Sequence, residues 1–376
     1  VLDALGDGRP LSRADLALRT GLSKPTVAGA LRSFEEAGLV REFGRTTGRR
    51  GPSASLYQRV ADAALVLGVD IGSRYVRAVL ADLDGGSVQE LTVRLGRPHA
   101  EEVVAAATEL RERIGAAAER TELAVVGTPG VVDPATGRIG SAPNIEAWEG
   151  VLAESVLARA LGLPVTIEND VNLAALGEQA HGAGRAVESF AYVTVGAGLG
   201  AGIILHGQLH RGARGAAGEV GFLPIGSDPF AGGGEAGKGA MERQLSSAGL
   251  VATAERLAEG TATRLARPFE VDELFAAARD GDALGRAVVA ETAREIALCV
   301  AGLSAVVDLD LVLLGGGIGD NADLLLPDVR AAAARLLPQP PRVERAALGA
   351  RAVTTGAVAV ALGAAREAVV RRVVSA

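Results

Sequence analysis

The sequence predicts an α/β protein: a short, basic helix–turn–helix unit with a wing, followed by two lobes that share an opening pattern. Three observations predict it. Capped helical stripes fill the first 40 residues. A strand, glycine turn and returning strand head residues 65–82 and recur at 190–205. Helices and apolar strands alternate from there to the end. At 376 residues the chain exceeds one compact core. The divisions expected are 1–60, 61–185 and 186–376.

The leading unit is read from its punctuation. Ser12-Arg13-Ala14-Asp15 is a capping box before Leu16 and Leu18. Gly21 breaks that helix. Ser23 caps a second, with Pro25 tolerated in its first turn. Val27, Leu31, Phe34 and Leu39 form its apolar stripe, and Gly38 stops it. The Arg-, Gly- and Ser-rich stretch 41–55 reads as a turn or wing.

The body opens with the apolar strand 64–71, turned by Gly72 to Arg74 and returning over 76–82, with a further strand at 91–95. A helix near 100–119, a strand at 123–127, a helix at 151–161, a strand at 164–167 and a helix at 171–180 follow. The second lobe opens on strand 190–195, runs through glycines 196, 198, 200 and 202, and returns at 203–205. Helices near 239–259, 271–280 and 284–306 lead to a buried strand at 309–314, which Gly315-Gly316-Gly317 ends. Two more helices close the chain. Two such lobes leave a cleft between them, where ligands bind.

Composition narrows the function classes. Hydrophobic residues make up 48% of the chain and aromatics only 3%, so small and branched side chains fill the cores. The one cysteine, Cys299, excludes an intrachain disulfide framework and a cysteine metal site, and fits a reducing cytoplasm. No run of about 18 apolar residues free of charge or glycine occurs, so no membrane span is expected. Asp3 and Asp7 at the start do not read as a signal peptide. Val1 falls inside a helix-like pattern, which leaves open whether residues precede it. Charge is uneven: residues 1–60 hold ten Arg and Lys against six Asp and Glu, the remainder 28 against 39. A basic end on an acidic body points to a polyanion partner at that end.

In a helix–turn–helix the second helix enters the major groove, and its first residues meet bases and phosphates. Ser23, Lys24 and Thr26 occupy that place. Hydroxyls and a lysine at a helix N-terminus suit phosphate. The stretch Leu22 to Val27, with Leu31 and Glu36-Ala37-Gly38-Leu39-Val40, resembles winged-helix repressors. That likeness implies polar residues after Thr26-Val27, where Ala28-Gly29 stand here, so more of the base reading is expected from Arg32. Arg45, Arg49 and Arg50, among glycines, form a wing suited to a narrow minor groove. A solvated basic loop is the competing reading.

Three glycine motifs arrive in order after strands: Asp70-Ile71-Gly72, Gly196-Ala197-Gly198 and Gly315-Gly316-Gly317. Singly each is weak, since such glycines often only make tight turns. Gly196-x-Gly198 is no dinucleotide fingerprint, because a strand follows it. As a trio they resemble the two phosphate loops and adenosine-side motif of the actin-like, ribonuclease H-like sugar-kinase fold. Gly127 to Asp133, Pro143-Asn144, Trp148, Glu168-Asn169-Asp170 and Gly218-Glu219-Val220-Gly221 also follow in order. With the helix–turn–helix, they identify the sequence as a member of the ROK family (repressors, open reading frames and kinases).

Membership implies that Asn144, Asn169, Asp170, Glu219 and Glu242 line a sugar site, since carboxylates and amides pair with ring hydroxyls. In family kinases the residue at Asp170 is the general base. A plain helix cap is the bland alternative for Asn169-Asp170. The departures are informative. The family's three-cysteine zinc motif is absent from 233–242, where Gly239 and Glu242 alone remain, and the family histidine is Phe222. No zinc is therefore expected. Ser73-Arg74 replace Gly-Thr in the first loop, and Ala197 replaces a phosphate-binding Thr in the second. An intruding Arg74 and lost hydroxyls argue against productive ATP positioning.

The expected function is a sugar-responsive transcriptional regulator, a repressor, with no catalytic residue. Its expected partners are double-stranded operator DNA, a small sugar or sugar derivative and a second copy in a homodimer or homotetramer, with no membrane and a cytoplasmic setting. Two alternatives stay open: an ATP-dependent hexose kinase with Asp170 as base, and a body that binds no sugar and only dimerises.

Overall fold

The structure is a computed structural model describing residues 1–6, 8–45, 53–142, 144–226, 230 and 238–375. In the leading unit, strand β1 (Leu11–Ser12) runs into helices α1 (Arg13–Thr20) and α2 (Lys24–Glu36). Strands β2 (Val40–Arg45) and β3 (Ser55–Arg59) then pair antiparallel, and β1 pairs β3 on the other side. The capping box at Ser12 and Asp15 closes α1's start, and Gly21, left-handed, closes its end. Ser23 caps α2 by accepting from the Thr26 amide. Leu16, Val27, Leu31, Phe34 and Tyr57 are buried together, so the predicted stripe is the core of this unit. Arg49 and Arg50 lie outside the described residues.

The first lobe holds β4 (Leu65–Ile71), β5 (Tyr75–Asp82), β6 (Ser87–Arg94), α3 (Ala100–Ile114), β7 (Thr121–Thr128), a small ribbon of β8 (Val131–Val132) and β9 (Ile139–Gly140), α4 (Ala153–Leu161), β10 (Val165–Asn169) and α5 (Asp170–His181). The second holds β11 (Phe190–Val195), β12 (Leu199–Leu205), β13 (Gln208–Leu209), α6 (Ser247–Ala258), α7 (Val271–Arg279), α8 (Ala283–Val307), β14 (Leu311–Gly315), the one-turn α9 (Gly316–Gly319), α10 (Ala322–Leu336), β15 (Arg342–Arg345) and α11 (Ala352–Ser375). The sheet orders are β10-β7-β4-β5-β6 and β13-β12-β11-β14-β15. Each is an antiparallel meander of three with two parallel strands added beside the first. The two lobes therefore share one topology, as the repeated opening predicts.

The packing departs from chain order at one place. Helix α11 was expected to belong with 186–376, yet it lies on the first sheet. Ala357, Val358, Ala361, Leu362 and Ala365 pack against Val66, Ala81, Val125 and Leu173. Helices α5 and α11 thus form a layer between the two sheets, and Leu176 and Val353 touch the cores on both sides. The layer is tight. A Cβ on Gly356 would sit 1.8 Å from the Leu173 carbonyl oxygen, and one on Gly177 would sit 2.3 Å from that of Ala352. By length and composition Gly349–Val373 could cross a bilayer. Its apolar face is instead covered by the first sheet and α5.

Gly200 and Gly202 lie inside β12 rather than in a loop, because α5 passes close by: a Cβ on Gly202 would meet the Val171 carbonyl oxygen at 2.5 Å. The helix expected from 239 begins only at Ser247, after a run of turns, and Ser246 caps it by accepting from the Gly249 amide. Cys299 is fully buried in α8, where burial pushes its thiol up to about 12.

Candidate functional site

The carboxyl ends of the parallel strands in both sheets face the space between the lobes, where ligands bind in open α/β folds. Asp70 is the penultimate residue of β4, Asn169 ends β10 and Asp170 opens α5. Asp70 is 8% exposed, and burial raises its carboxyl to about 6 against the opposing pull of Arg77. Burial and the neighbouring Asp70 raise Asp170 to about 7, with Glu219 adding in the same sense. Asp170 accepts from the Val171 amide at 2.9 Å.

The second lobe supplies the facing wall. Gly218 adopts φ +90, and a Cβ there would meet the Ala201 carbonyl oxygen at 1.8 Å. That close approach, sealed by the Ala201 amide donating to the Gly218 carbonyl at 2.8 Å, delivers Glu219 to the cleft. The Glu242 amide donates to the Gly221 carbonyl at 3.1 Å, which ties the next segment to it. Burial raises both carboxyls. The charge of Glu242 adds to the rise at Glu219, while Lys238 opposes the rise at Glu242. Gly198 leaves the space between Glu242 and Asn144: its Cβ would lie 3.3 Å from Glu242 Oε1 and 3.6 Å from Asn144 Nδ2. The segment bearing Asn144 is anchored by Trp148, whose Nε1 donates to Thr128 Oγ1 at 2.7 Å.

Asn144, Asp170, Glu219 and Glu242 therefore come together from four separate segments. Asn169 does more structural work than expected. Its Oδ1 caps α5 through the Asn172 amide at 3.0 Å, and its Nδ2 donates to the Gly130 carbonyl at 3.1 Å. The glycine motifs also converge. A Cβ on Gly196 would lie 3.5 Å from the Gly317 amide, and Gly316, at φ +81, packs on Thr194 and Val195. Gly315 abuts Tyr192. Gly72 turns β4 into β5, its amide donating to the Tyr75 carbonyl at 2.9 Å.

The intruding cation was expected to be Arg74, but that side chain is exposed. Arg77 is the one beside the first loop, with Nη1 3.5 Å from Asp70 Oδ2. Sequence reasoning missed it because Arg77 pairs with Asp70 only through strand register. Glu168 was named only as part of its motif, and its partners were not foreseen: it accepts from Asn172 Nδ2 at 2.9 Å and from Arg211 Nε at 2.7 Å. Ser247, whose Oγ donates to the Gly196 carbonyl at 3.1 Å, was likewise unforeseen. Phe222 stands where the family histidine would, and is 49% exposed. Among the described residues no group of three or more His, Cys, Asp or Glu could hold a metal ion, and 231–237 lie outside them.

The second surface is on the leading unit. Ser23 at the cap of α2 and Lys24, Thr26 and Arg32 on it are all exposed, and Arg45 is exposed at the end of β2. Ser23 Oγ and Thr26 Oγ1 share a hydrogen bond of 2.7 Å. Gly29 is exposed, with nothing near its Cα that a Cβ would meet. This unit is seated on the body. Arg59 of β3, its side chain wholly buried, donates through Nε to Asp84 at 2.7 Å in the β5–β6 turn. Arg366 of α11 donates to the Leu83 carbonyl at 2.6 Å, and Val369 joins the leading unit's core.

A winged helix–turn–helix clamped to a duplicated two-lobed body with a carboxylate- and amide-lined cleft defines a DNA-binding regulator built on a sugar-kinase fold. Residues 66–366 match the ROK family and residues 1–50 the MarR family, and the chain belongs to the ROK family. It is 29% identical over 343 residues to the xylose repressor of Caldicellulosiruptor bescii, across 88% of this chain and 85% of that protein. The crystal structure of a ROK family transcriptional regulator, a homologue of the E. coli MLC protein, superposes with TM-score 0.81 at 24% identity over 98% of this chain and 97% of that one. A ROK family glucokinase from Streptomyces griseus, solved with glucose and AMPPNP, has TM-score 0.67 and 30% identity over 79% of this chain and 99% of that one.

Proposed function

We propose that this protein is a sugar-responsive transcriptional repressor whose winged helix binds operator DNA and whose interlobe cleft binds an aldose that releases it. One observation carries the reading: an exposed recognition helix and a cleft of Asn144, Asp170, Glu219 and Glu242 sit in one molecule, joined by the α5–α11 layer. Ser23, Lys24, Thr26, Arg32 and the wing arginines Arg45, Arg49 and Arg50 contact the duplex. A homodimer presents two such units to a two-fold operator. The body works without zinc in the cytoplasm and transfers no phosphoryl group. The sugar acts by binding two arrangements of the winged helices with different affinity.

The likeness to a xylose repressor makes D-xylose the first effector to try, with D-glucose beside it. The test is a gel shift on the DNA upstream of the protein's own gene, repeated with each sugar. Salt-sensitive retardation relieved by an aldose is the expected result. No retardation of any promoter fragment would overturn the reading. Turnover of ATP with a sugar, abolished by Asp170→Asn, would favour the kinase reading instead.

A further inference from the structure

We infer that Arg77 is the residue that closes the phosphoryl-donor side of the cleft, its guanidinium standing beside Asp70 where a nucleotide-bearing divalent cation would have to be. The sugar-kinase fold implies such a cation and nucleotide, and the residues present do not fit them. Asp70 and Arg77 are cross-strand partners in β4 and β5, so their side chains leave the same face of the sheet. Nη1 lies 3.5 Å from Oδ2, and the Asp70 side chain is only 11% exposed, so little of the carboxylate is left open to another ligand. Tyr75 helps hold the guanidinium there, with its ring centroid 5.7 Å away.

The chemistry follows from charge. A divalent ion at Asp70 would share the carboxylate with a guanidinium that cannot give up its proton. The two cations would repel each other at close range, and the carboxylate's single negative charge is already matched. The Gly72 amide is also engaged, with the Tyr75 carbonyl, and offers no free donor to a phosphate. A sugar hydroxyl at Asp170 then meets its base with no phosphoryl group to attack. The site keeps its ligand and does not consume it, as a sensor requires.

The test uses the full chain and Mn2+ with ADP, read by electron paramagnetic resonance of the bound metal. Wild type, Arg77→Ala, Arg77→Gln and Arg77→Ala with Asp70→Asn are compared, with circular dichroism confirming that each is folded. The wild type is expected to take up Mn2+ with ADP only weakly. Arg77→Ala or Arg77→Gln is expected to bind it at least about tenfold more tightly, and the added Asp70→Asn to abolish the gain. Binding by the wild type as tight as by either variant would overturn the inference. So would silence from both folded single variants, since Arg77 is then not the barrier. A gain that survives Asp70→Asn would do so as well, because the metal would then sit elsewhere. None of these outcomes depends on whether DNA or sugar is bound.

Discussion

At the scale of single residues, the cleft is defined by carboxylates held above their ordinary range by burial and by one another. Asp170 rises from 3.8 to about 7 in the folded chain, which means the fold favours its protonated form. Its contribution to stability is then complete below about pH 4 and is lost as pH rises through about 7. Asp170→Asn removes the ionisation. The variant should be more stable than wild type by on the order of 2 kcal/mol at pH 8, with no gain at pH 4. Urea unfolding at both pH values checks this, and equal differences at the two would show that no buried charge is involved. The same variant should lose the aldose response. On the leading unit, Lys24 is exposed at the start of α2, where the proposed function puts a phosphate. Lys24→Ala should weaken binding to every duplex alike and reduce the salt slope by about one, which a salt titration of the gel shift measures.

At the scale of elements, the decisive feature is how closely α5 and α11 pass. Two glycines, Gly177 and Gly356, allow backbone to meet backbone, and α5 carries Asn169 and Asp170 at its start. Gly356→Ala would drive a methyl group into the Leu173 carbonyl. The helices must part, at an expected loss of about 3 kcal/mol visible as a lowered Tm. Gly363, on the same helix with nothing near it, is the contrasting site. Gly363→Ala should be neutral or slightly stabilising. Helix α2 depends on its cap, so Ser23→Ala should cost about 1 kcal/mol and also weaken DNA binding, since that hydroxyl organises the helix start.

At the scale of the molecule, the seam between winged helix and body is a place where a sugar signal can cross. Arg59 is wholly buried and Asp84 is its charge partner across the seam. On the body side of the seam, Arg372 of α11 donates to Glu122 at 2.7 Å, and Arg120 to the Asp62 carbonyl at 2.8 Å. Asp84→Ala would strand a buried guanidinium at a cost of about 3 kcal/mol. The winged helix keeps its own core, so operator binding should persist while its relief by sugar is lost. A gel shift with and without the effector reads both. Full relief by sugar in Asp84→Ala would show that the signal does not use this contact.

What the sequence determined by itself is local and repetitive. Ser12, Ser23, Gly21 and Gly38 punctuate the first helices through bonds to neighbours within a few residues. The strand–glycine–strand pattern announced both sheets, because alternation and turn chemistry are short-range properties. The order of motifs brought Asn144, Asp170, Glu219 and Glu242 into one list before any geometry was known. Tertiary structure alone decided where α11 lies, since an apolar helix carries no label for the sheet it will cover. It alone made Arg77 rather than Arg74 the partner of Asp70, because strand register, not spacing, sets that pair. It alone joined Arg59 to Asp84 and Arg211 to Glu168. Such pairs form between residues far apart in the chain, and spacing along the chain does not encode which distant charge a side chain will meet.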